Sequence, residues 1–483
     1  MSGTLPPLRW TQASRTARDT SRPRSCRLLW LVLLAGSLSC NTFSSGASQP
    51  TSLATETSAP TITPSATPEP PAFIPAACES VPIATIPPAT TVAEPTPSLD
   101  LNPEIDTETQ LRMLDSHVRT VNEVYLYPDF NGADWPGIAG GTRQRVEAGL
   151  DTEAFYAEMG DLIAALGDEH SSFESPVQVA EADADLAGQR EYVGIGTLVQ
   201  PYPEKGVLTV LVVFPDSAAF YAGLQPHDII LAVDGQPIVQ DGVAYPHWTR
   251  GPECSTVILT VQSPGQAPRP ISLMRFRVSG PLPIDARLVP TSDGSRIGYV
   301  FLPTFFDETI TDQVRRALQD FGTLDGLILD NRMNGGGSSS VVEPLLGFFT
   351  SGTLGHFVSR TEERPLAVEA DAIHNSQDVP LVILIGEDTV SFGEIFSGAL
   401  ADIGRAQLVG ETTLGNVETL HGYTAEDGSR IWIAEERFVP LRSVSDWEKD
   451  GVAPLVDAAA DWETFTFETD PGVAAALRLL GHE

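Results

Sequence analysis

Two apolar runs constrain this chain most. "LDGLILD" (324–330) and "VPLVILIG" (379–386) are almost unbroken. A strand with one wet face alternates apolar and polar residues; these do not, so both of their faces are covered. The covers are written alongside. "TITDQVRRALQDF" (309–321) and "SFGEIFSGALADIG" (391–404) have the apolar spacing of helices. "RIGYVFLP" (296–303), "AQLVG" (406–410) and "SRIWIAEERFV" (429–439) read as further strands, and "VVEPLLGFF" (341–349) and "DPGVAAALRLLG" (470–481) as helices. The region from 281 to 483 is therefore an α/β body, a sheet with crossover helices.

Two other regions precede it. "DTETQLRMLDSHVRTVNEVYLY" and "DTEAFYAEMGDLIAALG" carry helical periodicity with acidic starts, giving a helical region over 102–188. Residues 189–280 alternate short β runs with Gly, Pro and Asp turns around one short helical segment, "SAAFYAG", a small β-rich domain.

The first hundred residues are of another kind. Arg9, Arg15, Arg18, Arg22, Arg24 and Arg27 precede the apolar run "LLWLVLLAGSLS", and Cys40 follows at once. A basic stretch, a short apolar stretch and small residues read as a secretory signal over 1–39. "GSLSC" resembles a bacterial lipobox, which implies lipidation of Cys40 and a lipid anchor on the outer side of the cytoplasmic membrane. Residues 40–101 are rich in Ser, Thr, Pro and Ala, a composition that builds no core and reads as a tether. Cys78 and Cys254 are free to pair in an oxidising compartment. The net charge of -35 leaves no basic footprint for double-stranded nucleic acid.

Chemistry belongs at the C-terminal ends of buried strands. Two loops start there: "NRMNGGGSSS" after Asp330, and the segment that ends in Ser391. The glycine loop lacks the spacing and the lysine of a phosphate-binding loop. Ser391 at a helix start is either a plain N-cap or a nucleophile beside unpaired N–H groups that suit an oxyanion.

The pattern is similar to the carboxy-terminal processing (tail-specific) serine peptidases, family S41, over nearly all of residues 105–483. "IGYVFLPTFFDETITDQVRRAL", "LDGLILDNRMNGGG", "LVILIGEDTVSFGEIFSGALADIGRAQLVGETTLGN" and "DGVAPLVD" match the family's stretches in order. "YVGIG" and "SAAFYAGLQPHDIILAVDGQPI" resemble a PDZ domain, with His227 where that family usually has Gly. Asn331, Met333 and Leu455 also depart from the S41 pattern. The resemblance implies a crotonase/ClpP-like α/β protease core with an inserted PDZ-like β domain and an N-terminal helical region. It implies Ser391 as nucleophile, and N–H groups of Phe392 and of Gly336 or Gly337 as the oxyanion hole. Val193, Gly194, Ile195 and Gly196 become a carboxylate-binding loop for peptide ends. Arg332 binds substrate or makes a structural ion pair. Neither a cofactor nor a metal is implied.

One departure decides the base. The family's usual lysine, 25 positions after the serine, is Asn416 here, and the chain has only Lys205 and Lys449. The resemblance then runs to the tricorn-like branch, which uses Ser, His and Glu. That implies His170 in "LGDEHSSF" as general base and Glu448 as its orienting carboxylate, with Asp450 close by. His421 is the rival histidine. The expected activity is hydrolysis of unfolded or C-terminally exposed proteins outside the cytoplasm. The alternative is a catalytically inactive PDZ-containing lipoprotein that only binds peptides.

Overall fold

The computed structural model describes residues 71, 73–79, 102, 104–168 and 170–482. The expected signal, Cys40 and most of the tether lie outside the described residues. No helix among the described residues is long and apolar enough to cross a membrane.

The two apolar runs are the centre of a six-stranded sheet. Its order is Ala286–Val289, Ile297–Phe301, Gly326–Asp330, Leu381–Ile385, Gln407–Gly410 and Val456–Asp457. All neighbours are parallel except the first pair. Leu327 and Leu329 enter one apolar cluster, with Ile310, Val314 and Phe321 of helix Thr309–Phe321 and Ile395 and Phe396 of helix Phe392–Asp402. Ile328 points to the other side, where Val473 and Ala476 of helix Pro471–Leu480 cover it. Each such side chain removed from water stabilises the fold by about 1.5–3 kcal/mol. The double cover explains the unbroken apolar sequence.

A second sheet joins the N-terminal helices to this body. Strand Arg430–Pro440 pairs with Ser172–Glu174, Glu418–Thr424 and Gly352–Val358, and the last continues to Glu363–Val368. Helices Thr107–Val124, Trp135–Glu147 and Thr152–Ala164 pack Met113, Trp135 and Phe155 against Ile431 and Ile433 of that sheet. The helical region therefore shares a core with the body rather than standing apart. Three-residue strand Ser172–Glu174 follows His170 directly. Ser171 Oγ accepts the Ala434 N–H (3.0 Å), which pins the histidine's loop to the long strand.

The β-rich insert is a sheet ordered Arg269–Met274, Thr256–Gln262, Ile229–Val233, Val207–Val213 and Thr197–Tyr202. It is consistent with a PDZ-like domain. Thr197–Tyr202 lies at its edge, and strand Glu191–Gly194 leads into it through Ile195 and Gly196. Gly196 has φ +84°, and a Cβ there would lie 2.2 Å from Ser217 Cβ, so only glycine fits. Cys78 and Cys254 are disulfide-bonded, fastening the tether at Cys78 to this domain. Nearby, Phe73 stacks on Tyr221 with ring centroids 3.9 Å apart.

The insert is clamped to the body at the glycine-loop side. His227 takes φ +77°, and its ring stacks on Trp462 (4.3 Å) while Nδ1 meets Trp462 O at 2.8 Å. That contact is the reason a histidine can occupy a glycine's backbone position. Lys205 Nζ bridges Asp461 and Glu463, each at 2.7 Å. Tyr202 donates its hydroxyl to Asp388, three residues before Ser391.

Candidate active site

Strands Gly326–Asp330 and Leu381–Ile385 are parallel neighbours with Asp330 opposite Leu384, so the loops at their C-terminal ends meet. Val390 N–H donates to Asn334 O (3.0 Å), and Asn331 Nδ2 donates to Gly393 O and Ser397 Oγ, both at 2.8 Å. This gives Asn331 a structural reason: it ties the glycine loop to the helix that starts after Ser391. Gly336 faces the serine so closely that a Cβ on it would sit 2.8 Å from Ser391 Cβ.

Ser391 itself has φ 55° and ψ −124°, a conformation a non-glycine residue holds only under constraint, and one that clusters at functional sites. The Glu394 N–H, the group that a capping hydroxyl would take, donates to Ser391 O at 2.9 Å. Gly336 N–H is already committed to Asn334 Oδ1 (2.9 Å). Among the described residues, the N–H groups of Phe392 and Gly337 have no acceptor.

Beneath the serine lies a carboxylate that the sequence reading did not single out. Glu394 is fully buried and accepts from Ser391 N (3.1 Å), Thr413 Oγ1 (2.5 Å), Gly415 N (2.8 Å) and Asn416 N (2.8 Å). Burial pushes its carboxyl up to about 7 despite those donors. The next two N–H groups, of Val417 and Glu418, go to Glu448 Oε2 at 2.6 and 3.1 Å. Glu448 is aimed by the short turn Trp447–Asp450, whose buried Trp447 stacks on Phe438 (5.7 Å) and packs against Gly398. Burial and the neighbouring Glu418 push the Glu448 carboxyl up to about 8.

Ligand-type atoms of His170, Glu418 and Glu448 lie within 4.8 Å of one another. The loop of His170 is held by Asp168, whose carboxylate accepts from His170 N (3.0 Å), Ser171 N (2.7 Å) and Ser171 Oγ (2.6 Å). His170 Nε2 is buried, without a partner among the described residues. Burial pushes the imidazole down to about 4, with Asp168 opposing, so it is unprotonated at neutral pH. Glu418 is pushed up to about 7, first by burial, against a hydroxyl hydrogen bond from Tyr127. The carboxyls of Glu418 and Glu448, this close together, do not ionise independently.

The profile of peptidase family S41 matches residues 296–458. A carboxyl-terminal-processing protease of Synechocystis is 30% identical over 386 residues, covering 77% of this chain and 87% of the relative. The chain belongs to peptidase family S41. This S41 serine peptidase is also 29% identical over 364 residues to the chloroplastic carboxyl-terminal-processing peptidase 2 of Arabidopsis thaliana, covering 72% of this chain and 68% of that one. Its fold resembles the solved photosystem II D1 C-terminal processing protease, with TM-score 0.54 and 24% identity over 77% of this chain and 97% of that one.

The other candidate residues have surroundings of their own. Lys205 is engaged by Asp461 and Glu463 at the insert, and Lys449 is exposed on the turn that carries Glu448. Asn416 is buried, its Oδ1 unpartnered among the described residues. His421 pairs with Glu436 (3.1 Å), which also takes both arms of Arg364; that hydrogen bond raises its imidazole and makes it an ion-pair residue. Asp450 is exposed. Of the two readings of Arg332, the ion pair is the one found and substrate binding is corrected: the side chain is buried between Asp330 and Asp470 and has no free arm for a peptide. Of the expected Val193–Gly196 loop, Val193 and Gly194 end strand Glu191–Gly194, which pairs with Phe276–Ser279, and only Ile195 and Gly196 lie outside a strand, with Ile195 O accepting Ala219 N–H (2.8 Å) and Gly196 O accepting Phe214 N–H (3.0 Å). Those bonds turn the carbonyls inward. Among the described residues, the N–H groups of Ile195 and Gly196 have no acceptor.

The sequence carried a signal for Glu394: "SFGE" is a Ser-x-x-Glu box at a helix start. Glu418 and Tyr127 gave none, because nothing local marks a carboxylate and a phenol 291 residues apart as neighbours.

Proposed function

We propose that this extracytoplasmic S41 peptidase hydrolyses peptide bonds by acyl transfer through Ser391, with His170 as base and Glu448 as its orienting carboxylate. Ser391 Oγ attacks the scissile carbonyl as its proton passes to His170. His170 then protonates the leaving amine, and water, deprotonated by the same imidazole, releases the acyl group. The N–H groups of Phe392 and Gly337 receive the oxyanion, since Gly336 N–H is spent on Asn334. The observation that carries this reading is the strained Ser391 beside the glycine loop with its N–H on buried Glu394, together with the grouping of His170 with Glu418 and Glu448. Asn416, at the usual lysine position, and the ion-paired Lys205 support the Ser/His/Glu form over a Ser–Lys dyad.

The core is crotonase/ClpP-like, residues 281–483, behind a helical region at 102–188 and a PDZ-like domain at 189–280. The substrates are proteins with exposed C-termini. Their terminal carboxylate docks on the free N–H groups of Ile195 and Gly196, and the chain adds to the edge strand Thr197–Tyr202. A lipid on Cys40 holds the mature chain to the membrane.

The test is labelling with a serine-directed probe together with cleavage of an unfolded protein. Ser391→Ala abolishes both. His170→Ala lowers kcat by about 10³-fold or more while peptide binding is kept. Full turnover by His170→Ala sinks the base assignment. A wild-type chain that binds peptides yet takes no label is the inactive alternative.

A further inference from the structure

We propose that His170, Glu418 and Glu448 form a zinc site, and that zinc bound there holds the peptidase inactive. Three distant segments bring the set together: the loop before Ser172–Glu174, the start of strand Glu418–Thr424, and the turn Trp447–Asp450. Among the described residues it is the only group of three such side chains with ligand atoms within 4.8 Å of one another. Tetrahedral zinc with arms of about 2 Å spaces its ligands by about 3.3 Å, so ligand atoms within 4.8 Å of one another are at most about 1.5 Å too far apart.

Unsatisfied atoms point to an occupant. Glu418 is 2% exposed; Oε1 takes the Tyr127 hydroxyl, and Oε2 is buried without a partner. His170 Nε2 is buried and unpartnered as well. A buried polar atom left so costs about 1–3 kcal/mol. One cation relieves several such atoms at once. The chemistry selects the ion: one imidazole nitrogen with two carboxylate oxygens suits zinc, whereas calcium wants six or more oxygens. Outer partners are in place, since Tyr127 fixes one carboxylate and the Val417 and Glu418 N–H groups fix the other. The net charge of -35 draws divalent cations toward the chain.

Inhibition follows if His170 is the base proposed above, because an imidazole lone pair on zinc cannot take the serine proton. Zinc binding itself does not depend on that reading. The experiment therefore starts with the Ser391→Ala mature chain, freed of metal and titrated with zinc chloride by calorimetry and with cobalt(II) by visible absorption. One equivalent binds, and cobalt gives the intense bands of a four- or five-coordinate site. Glu418→Gln and, separately, His170→Asn weaken binding by at least about tenfold, at melting temperatures that show both are folded, while His421→Asn changes nothing. Absence of one-equivalent binding, or binding that survives both ligand variants, overturns the site. In the wild type, turnover falls over the same zinc range and EDTA restores it. Unchanged turnover with the site filled overturns the inhibitory role. A wild type inactive with or without EDTA, beside a Ser391→Ala chain that binds zinc, sinks the catalytic reading and leaves the site standing.

Discussion

Glu394 and Glu448 divide four successive backbone N–H groups between them: Gly415 and Asn416 donate to the first, Val417 and Glu418 to the second. One loop thus fixes the carboxylate under the nucleophile and the carboxylate beside the base. It includes Asn416, the position where the family resemblance leads one to expect a lysine. With Asn416 there, the partners of the two acids are backbone N–H groups and, for Glu394, the Thr413 hydroxyl, all neutral, and burial raises both carboxyls toward the protonated form.

Activity should therefore climb with pH later than a free histidine would dictate. Glu448 is raised to about 8, so it is neutral below that and ionised above. His170, lowered to about 4, is already neutral across this range. We expect kcat/KM for peptide cleavage to rise through about pH 7–8 to a plateau. Glu448→Gln should remove that limb and lower kcat by about 10²-fold or more. A single limb at about 6.5 in the wild type would count against the assignment.

Stability should move the other way. Glu394 at about 7 and Glu448 at about 8 are raised above their ordinary 4.5, so the folded state holds protons that the unfolded state releases. Their contribution is full below about 4.5 and is lost as pH rises through about 7–8. His170 acts oppositely, its contribution lost as pH falls from about 6.5 toward 4. The melting temperature should decline from about pH 6 to pH 9, and Glu394→Gln should flatten the decline.

The two glycines of the loop should fail differently. A Cβ on Gly336 meets Ser391 Cβ at 2.8 Å, whereas one on Gly337 meets the Phe305 carbonyl carbon at 2.0 Å. Gly336→Ala should keep the fold within about 1–3 kcal/mol and lose most turnover, because the nucleophile is pushed aside. Gly337→Ala should cost more stability than that. Urea melts beside probe labelling separate the two.

Arg332→Ala should be a folding lesion. It leaves Asp330 and Asp470 buried without their cation, at a cost of about 3–5 kcal/mol. KM for a peptide substrate should stay within about twofold among molecules that remain folded. A large KM rise at unchanged stability would restore the substrate role.

Much of this was legible. Helix Thr309–Phe321 has the bounds its periodicity gives, and the strands around 326–330 and 381–385 follow from their unbroken apolar runs. Helix Trp135–Glu147 was not read. Gly137, Gly140 and Gly141 each lower its propensity by about 1 kcal/mol, and only Asp134 and Pro136 mark its start. The hairpin Gly352–Val358 with Glu363–Val368 was missed for a similar reason: it bears a bulge at Thr353/Gly355, which breaks the alternation. In the site, Ser391 and the glycine loop stand out because glycine and strand ends have local meaning. Glu418 does not, because its role comes from a phenol and an imidazole brought by remote segments.

The pairing of Ser171 with Ala434, 263 residues later, bears on when this peptidase becomes dangerous. As the chain is made and exported, the segment with His170 emerges early, with Asp168 to shape its loop but no strand to dock it on. The nucleophile follows, still without its partner. Only when strand Arg430–Pro440 and the turn with Glu448 arrive can the base be seated. If His170 is the base proposed above, a nascent or truncated chain carries a serine without the seated group that would deprotonate it, and the order of synthesis itself delays activity.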